Sequence, residues 1–270
     1  MTATPRRARK RFGQHFLEPA WADKVIRAID PKPGDAFIEI GPGRGALTRP
    51  LAALAGSVAA FEIDRDLAAD LRERAPANVI VVEGDFLTAS LADFHAIRIA
   101  GNLPYNVASP ILFKLVTLHH DGLPIVDATV MLQREVADRL VAKPGRKEYG
   151  VLSVLIRHTA DVDRLLNLPP GAFRPAPKIH SSVVRLRFHA PEPPVADSRL
   201  FATLVQSVFT RRRKMLANAL NAFVEGRAVP PQQALDEAGI DGSRRPETLT
   251  IAEFARLADV YRRASGGPRP

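Results

Sequence analysis

The 270-residue chain has no cysteine, and this removes disulfides, thiolate metal sites and any thiol nucleophile at once. Aromatic residues are few, at 6%, with a single tryptophan and three tyrosines. No apolar run approaches the roughly 20 residues that a membrane span needs. The first residues, MTATPRRARKRFGQHF, lack the apolar core of a secretory signal, so the expected location is the cytoplasm. The seven histidines show no metal-like spacing, and His119 with His120 reads as a solvated helix end, so no metal site is expected. Acids are outnumbered: 29 Asp and Glu face 38 Lys and Arg, a formal charge of +9. Such a chain attracts polyanions, and nucleic acid is the leading partner class.

The positive charge is clustered. Arg6, Arg7, Arg9, Lys10 and Arg11 form an N-terminal arm (residues 1–11), and Arg211, Arg212, Arg213 and Lys214 are consecutive. Each cluster taken alone is equally a solvated face. Together with the overall charge they read as a phosphate footprint.

Strand-like and helix-like segments alternate through the first two thirds. DAFIEI (35–40), SVAAFEI (57–63), NVIVVEG (78–84), IRIAGN (97–102) and ATVMLQ (128–133) read as buried parallel strands. Helical periodicity lies between them, as in ALTRPLAALA and RDLAADLRERA. This predicts an α/β fold with a parallel sheet covered on both faces. SVVRLRF (182–188) is a last strand, and the proline-rich HAPEPPVADS that follows reads as a linker. Beyond it the signal is helical, with Ser198 as the expected N-cap of one helix and Thr250 with Glu253 in capping-box spacing before another. The expected domains are residues 1–190, α/β, and residues 198–270, a small helical domain.

Open parallel sheets bind ligands beyond the carboxyl ends of their strands. The first such end is EIGPGRGALT, where Gly41, Gly43 and Gly45 let backbone approach a ligand. The loop fits a loose dinucleotide fingerprint, another ligand or a plain turn. Glu62, at the second strand end, suits the two hydroxyls of a ribose in a dinucleotide or an S-adenosyl cofactor; a solvated acid would look the same. Asp85 at the third sits where an adenine amine needs an acceptor, which favours the S-adenosyl group.

GNLPYN at the fourth end carries the chemistry. The side-chain carbonyl of Asn102 and the backbone carbonyl of Leu103 can each accept one N–H of an exocyclic amine and aim its lone pair at a methyl donor. Pro104 stiffens the loop, and Tyr105 offers a ring for a flipped base. A turn with a buried tyrosine is the plainer alternative. Without cysteine, methylation of a cytosine ring carbon through a thiolate adduct is excluded, whereas direct transfer to an amine needs no nucleophilic side chain.

These motifs, with RKRFGQHFL, MLQREVADRLVAKPG, YGVLSVL, PPGAFRPAPKIHSSVVRL and RRRKMLANAL, resemble the KsgA-type small-subunit ribosomal RNA adenine dimethyltransferases, relatives of the macrolide-resistance rRNA methylases, over nearly the whole chain. The resemblance implies a Rossmann-like S-adenosylmethionine-dependent methyltransferase sheet with a C-terminal helical RNA-docking domain. It implies an enzyme that dimethylates two adjacent adenosines of small-subunit rRNA, with a role in subunit maturation, acting as a monomer and without metal. It implies a cofactor site at His15, Leu17, Gly41, Gly43, Glu62, Asp85 and Asn102, and catalytic roles for Asn102, Leu103, Pro104 and Tyr105. Phe173 would stack on the base opposite Tyr105; by its own surroundings in the sequence it reads as a core aromatic. His15 stands where asparagine is more usual, and the segment RKEYG replaces the more usual SKAYG. The rival readings are a DNA adenine methyltransferase, a non-catalytic RNA-binding assembly factor and a nicotinamide oxidoreductase; the last leaves Asn102 to Tyr105 unexplained.

Overall fold

The computed structural model describes residues 15–92, 94–95, 97–224 and 229–264. The basic arm at 1–11 lies outside the described residues. No helix among those described is long and apolar enough to cross a membrane. They divide into two compact units: the described residues up to Ala137 with Asp161–Phe188, and Asp138–Ala160 with the described residues from His189 onward. The boundary after Phe188 falls where the proline-rich segment begins. The segment 138–160, assigned by the sequence to the first domain, packs with the helical unit instead.

In the first unit, β1 (Phe16–Leu17) leads into α1 (Pro19–Ile29), whose Ala22, Val25, Ile26 and Ile29 make one buried stripe at helical spacing. Pro19 fits the first turn because its missing N–H would have no intrahelical partner. There follow β2 (Ala36–Ile40), α2 (Thr48–Leu54), β3 (Ser57–Glu62), α3 (Arg65–Arg72), β4 (Val79–Glu83), β5 (Ile97–Asn102), α4 (Ala108–His120) and β6 (Ile125–Gln133). After α5 (Arg134–Val141) and α6 (Val151–Arg157) come β7 (Ala160–Leu168), β8 (Phe173–Arg174) and β9 (Ser181–Phe188). Seven strands make one sheet in the order β4-β3-β2-β5-β6-β9-β7, and β1 pairs with β8 in a separate ribbon.

β2 to β6 are mutually parallel, while β9 runs antiparallel to β6, so the sheet is mostly rather than wholly parallel. Phe37, Ile38 and Ile40 of β2 and Ile97, Ile99 and Ala100 of β5 are all buried, as expected of central strands covered on both faces. Each fully buried aliphatic or aromatic side chain of this kind contributes about 1.5–3 kcal/mol. Successive strands step outward from β2 to β3 and β4, and the chain then returns to β5 on the other side of β2. That reversal opens a crevice at the carboxyl ends of β2 and β5, where such folds place ligands.

The second unit contains α6, α7 (Ser198–Thr210), α8 (Leu216–Val224), α9 (Pro231–Ala238) and α10 (Ile251–Ala264). Its core includes Phe201, Leu204, Val205 and Val208 of α7 and Phe254 and Leu257 of α10. The cap of α7 is Asp197 rather than Ser198: its carboxylate accepts from Leu200 N–H at 2.8 Å. At α10 the capping box is present, with Thr250 N–H to Glu253 Oε2 at 2.7 Å and Glu253 N–H to Thr250 Oγ1 at 3.2 Å. The proline-rich segment is fastened, since His189 and Glu192 N–H donate to the carbonyls of Thr159 and His158.

Candidate active site

A cavity of about 450 Å³ opens at the carboxyl ends of β2 to β5. His15, Leu17, Gly41, Gly43, Glu62, Asp85, Asn102, Leu103, Pro104 and Tyr105 all line it. The local chemistry of each strand end explains how they meet.

β2 ends in a turn whose Gly43 has φ +57°, a backbone conformation that disfavours side chains. A Cβ there would also stand 3.2 Å from the ring of Phe16, a tight contact that the ring would have to relieve. Its N–H donates to Glu62 Oε2 at 2.9 Å, and Asp64 N–H donates to Oε1 at 2.9 Å. Both carboxylate oxygens of Glu62 are therefore fixed, each with acceptor capacity left. Burial pushes the Glu62 carboxyl above its ordinary range, against these backbone hydrogen bonds.

Asp85 follows β4. Its Oδ1 accepts from Leu87 N–H at 2.9 Å, holding the loop in a tight turn. Lys114, on α4, ties that loop down by donating to the carbonyls of Phe86, Leu87 and Ala89 at 2.6, 3.1 and 2.7 Å. Desolvation lowers the pKa of this ammonium and the charge of Asp85 opposes the shift.

β5 ends in Gly101-Asn102. A Cβ on Gly101 would lie 2.4 Å from the carbonyl oxygen of Ile40, so only glycine lets β5 pass this close to β2. Asn102 Nδ2 donates to the backbone carbonyl of His15 at 2.8 Å. A carbonyl can only accept, so the carboxamide orientation is settled, and Oδ1 is the end left for a ligand. Leu103 is buried, its N–H donating to Met131 O at 3.2 Å. Half-buried Tyr105 hydrogen-bonds through its hydroxyl to Ser181 Oγ at 2.6 Å, and the ring of His15 stacks on it with centroids 5.6 Å apart and planes 26° apart. Burial pushes the Tyr105 phenol up, so the hydroxyl stays protonated at neutral pH and is no general base. Among the described residues no group of side chains could hold a metal ion.

The model of the ribosomal RNA adenine dimethylase family matches residues 6–263. The chain belongs to that family. As a ribosomal RNA adenine dimethylase it is 43% identical over 261 residues to ribosomal RNA small subunit methyltransferase A of Acinetobacter baylyi, covering 94% of this chain and 92% of the relative. It is 42% identical over 255 residues to the protein of the same name from Methylibium petroleiphilum, covering 93% and 95%. A dimethyladenosine transferase from Plasmodium falciparum superposes with a TM-score of 0.79 at 26% identity, over 93% of this chain and 98% of that one. The 23S rRNA methyltransferase ErmE does so with 0.69 at 28% identity, over 91% and 99%.

One residue expected at the site of this adenine dimethylase is elsewhere. Phe173 is fully buried, paired with Leu17 across the β1–β8 ribbon and packed in the core with Leu168, Ala172 and Val183, so no base can stack on it in this arrangement. As a residue of β8 turned into the core, its ring gains the full free energy of burial. The aromatic group that does face Tyr105 is His15.

Two residues of this dimethylase escaped the sequence reading. Glu39 sits in the buried strand FIEI, lines the cavity and is 1% exposed, with no hydrogen-bond partner for Oε2 among the described residues. Burial above all, with the nearby charge of Glu62 added and Thr48 opposing, pushes its carboxyl up to about 8. An acid placed inside an apolar strand just before the glycine turn was the available signal. Ser181 gives none, as a small polar residue opening a strand.

Proposed function

We propose that this chain transfers methyl groups from S-adenosylmethionine to the exocyclic amines of two adjacent adenosines in small-subunit ribosomal RNA, as a cytoplasmic monomer acting during subunit maturation. The observation that carries the reading is the orientation of Asn102, whose amide donates to His15 O and so leaves Oδ1 as an acceptor beside an aromatic ring at a cavity mouth.

The cavity suits the cofactor. Glu62, with both oxygens fixed, would hold the ribose hydroxyls; Asp85 would accept from the adenine amine; Gly41 and Gly43 would let the methionine end approach the backbone. Glu39 Oε2, with no hydrogen-bond partner among the described residues, would accept a hydrogen bond from the cationic ammonium of that end, whose charge would in turn favour the ionised carboxylate. When bound, the cofactor supplies an electrophilic methyl group.

The chain's own residues prepare the nucleophile. Asn102 Oδ1 and Leu103 O accept the two N–H bonds of the target amine, which draws its nitrogen toward tetrahedral geometry with the lone pair exposed. Tyr105 stacks on the base. The positioned nitrogen would take the methyl group that the cofactor supplies, and the amine would then give one proton to solvent. The second transfer starts with one N–H fewer, so it leans more on stacking.

In the helical unit, Arg211, Arg213 and Lys214 are exposed between α7 and α8, and they supply phosphate contacts. Arg212 is different: it lies 3.7 Å from Glu247 and donates to the carbonyl of Arg146, so it braces the connection. Reversing Arg211, Arg213 and Lys214 to Glu is expected to weaken RNA binding and reduce its log-log salt slope by about 0.7–0.9 per lost contact, with cofactor affinity unchanged. Filter binding across a salt series measures both.

The direct test incubates purified protein with methyl-labelled S-adenosylmethionine and undermethylated small subunits. Label in adenine of the small-subunit RNA is expected. Label absent from adenine, or tight NAD binding in calorimetry, overturns the proposal.

A further inference from the structure

Tyr105 is a loop residue, yet its ring is held at two places. Its hydroxyl meets Ser181 Oγ at 2.6 Å, across 76 residues of sequence, and the imidazole of His15 lies against its face. Ser181 itself cannot drift. It is fully buried, it pairs with Gln133 in the β6–β9 register, and the neighbouring His180 carbonyl accepts from Arg134 N–H at 3.0 Å. The imidazole is tethered as well: Nδ1 lies 2.7 Å from Pro175 O, and because a carbonyl only accepts, Nδ1 carries the proton. The tip of the ring is thus tied to the sheet and its face to the segment that follows β8.

We infer that Ser181 is a positioning residue for methyl transfer, fixing the plane of Tyr105 before the target base arrives. The inference rests on the proposed stacking role of Tyr105. Tyr105 has two soft side-chain torsions, and an unanchored ring would sample orientations that displace a stacked amine from the acceptors at Asn102 and Leu103. Displacements near 1 Å are enough to cost large factors in rate. The hydrogen bond also gives the phenol hydroxyl a use other than proton transfer or base recognition.

The test is a double-mutant cycle on the full-length protein with undermethylated small subunits. It comprises wild type, Ser181→Ala, Tyr105→Phe, the double variant, and Ser181→Thr. Ser181→Ala and Tyr105→Phe are each expected to lower the single-turnover rate about threefold to tenfold, the range for one lost hydrogen bond, with KM for subunits and affinity for S-adenosylmethionine little changed. The double variant is expected to be no slower than the worse single one, since both remove the same bond. Ser181→Thr keeps a hydroxyl and is expected to recover most of the rate. A full rate in Ser181→Ala, multiplicative losses in the double variant, or no recovery with threonine overturns the inference. A wild-type protein that methylates no adenine overturns the proposed function and this inference together, whereas an active wild type with an equally active Ser181→Ala variant overturns this inference alone.

Discussion

The two ends of the parallel strands treat charge in opposite ways. Near the amino ends of β5 and β6, Arg98 uses every donor it has: two hydrogen bonds to Asp127 at 2.9 and 2.8 Å, one to Asp35 at 2.6 Å, and two to the carbonyls of Asp30 and Ile29 at 3.1 and 2.8 Å. Arg185 adds bonds to the carbonyls of Ala28 and Ile29 at 2.5 and 3.0 Å. The last carbonyls of α1, buried Asp127 and partly exposed Asp35 are satisfied together there, and the cations stand at the end of the helix where its dipole is negative. At the carboxyl ends, Glu39, Glu62 and Asp85 gather around a cavity, and among the described residues none forms an ion pair. Backbone N–H groups hold Glu62 and Asp85, and Glu39 Oε2 has no partner among the described residues. A closed network stabilises the fold, and an incompletely satisfied one is where a ligand supplies what is missing.

Breaking the closed end has the largest expected effect. Arg98→Ala strands the buried carboxylate of Asp127 and the helix carbonyls and takes one partner from Asp35, so urea unfolding should show a loss of about 3–5 kcal/mol. Asp85→Ala at the open end should leave stability within about 1 kcal/mol and weaken S-adenosylmethionine binding by about 1–3 kcal/mol in calorimetry. Equal stability losses for the two variants would erase the contrast between the ends.

A further contrast concerns pH. Glu39 keeps its proton in the folded chain up to about pH 8, whereas in the unfolded chain it ionises near its ordinary 4.5. Between those values the folded state binds more proton, so the stability contributed by Glu39 falls as pH rises from about 4.5 to about 8 and is level beyond. Glu39→Gln does not titrate. Its melting temperature should gain steadily on that of wild type as pH rises across this window, and the gap should stop widening above pH 8. A gap independent of pH would place an ionised Glu39 in the folded chain.

The parts of this molecule legible in sequence are those where one local rule dominates. β2, β3, β5 and β6 are largely buried on both faces and read as apolar runs, whereas β4, expected to be buried, is the edge of the sheet and exposes Ile80 on one face; glycine turns and strand-end acids mark where the strands open. Asn102 and Tyr105 were legible because their order has a chemical reason. β7 was not: ADVDRLLNL is mostly half-exposed and carries Asp161, Asp163 and Arg164, so it shows neither an apolar run nor clean alternation. The membership of 138–160 in the helical unit depends on tertiary contacts such as Tyr149 Oη–H to Leu249 O at 2.8 Å, across 100 residues. Phe173 shows the same limit from the other side, since its place beneath the ribbon follows from the pairing of Leu17 with Phe173, which no local pattern encodes.

Digestion of small-subunit RNA to nucleosides after saturating reaction with this protein, followed by mass spectrometry, tests the central claim most directly. The account predicts dimethyladenosine at two neighbouring adenosines. It also predicts less product from the same RNA stripped of its ribosomal proteins, because a basic helical unit suits a folded RNA surface more than a short sequence. Unmodified adenosine, or monomethyladenosine alone at saturation, would contradict it.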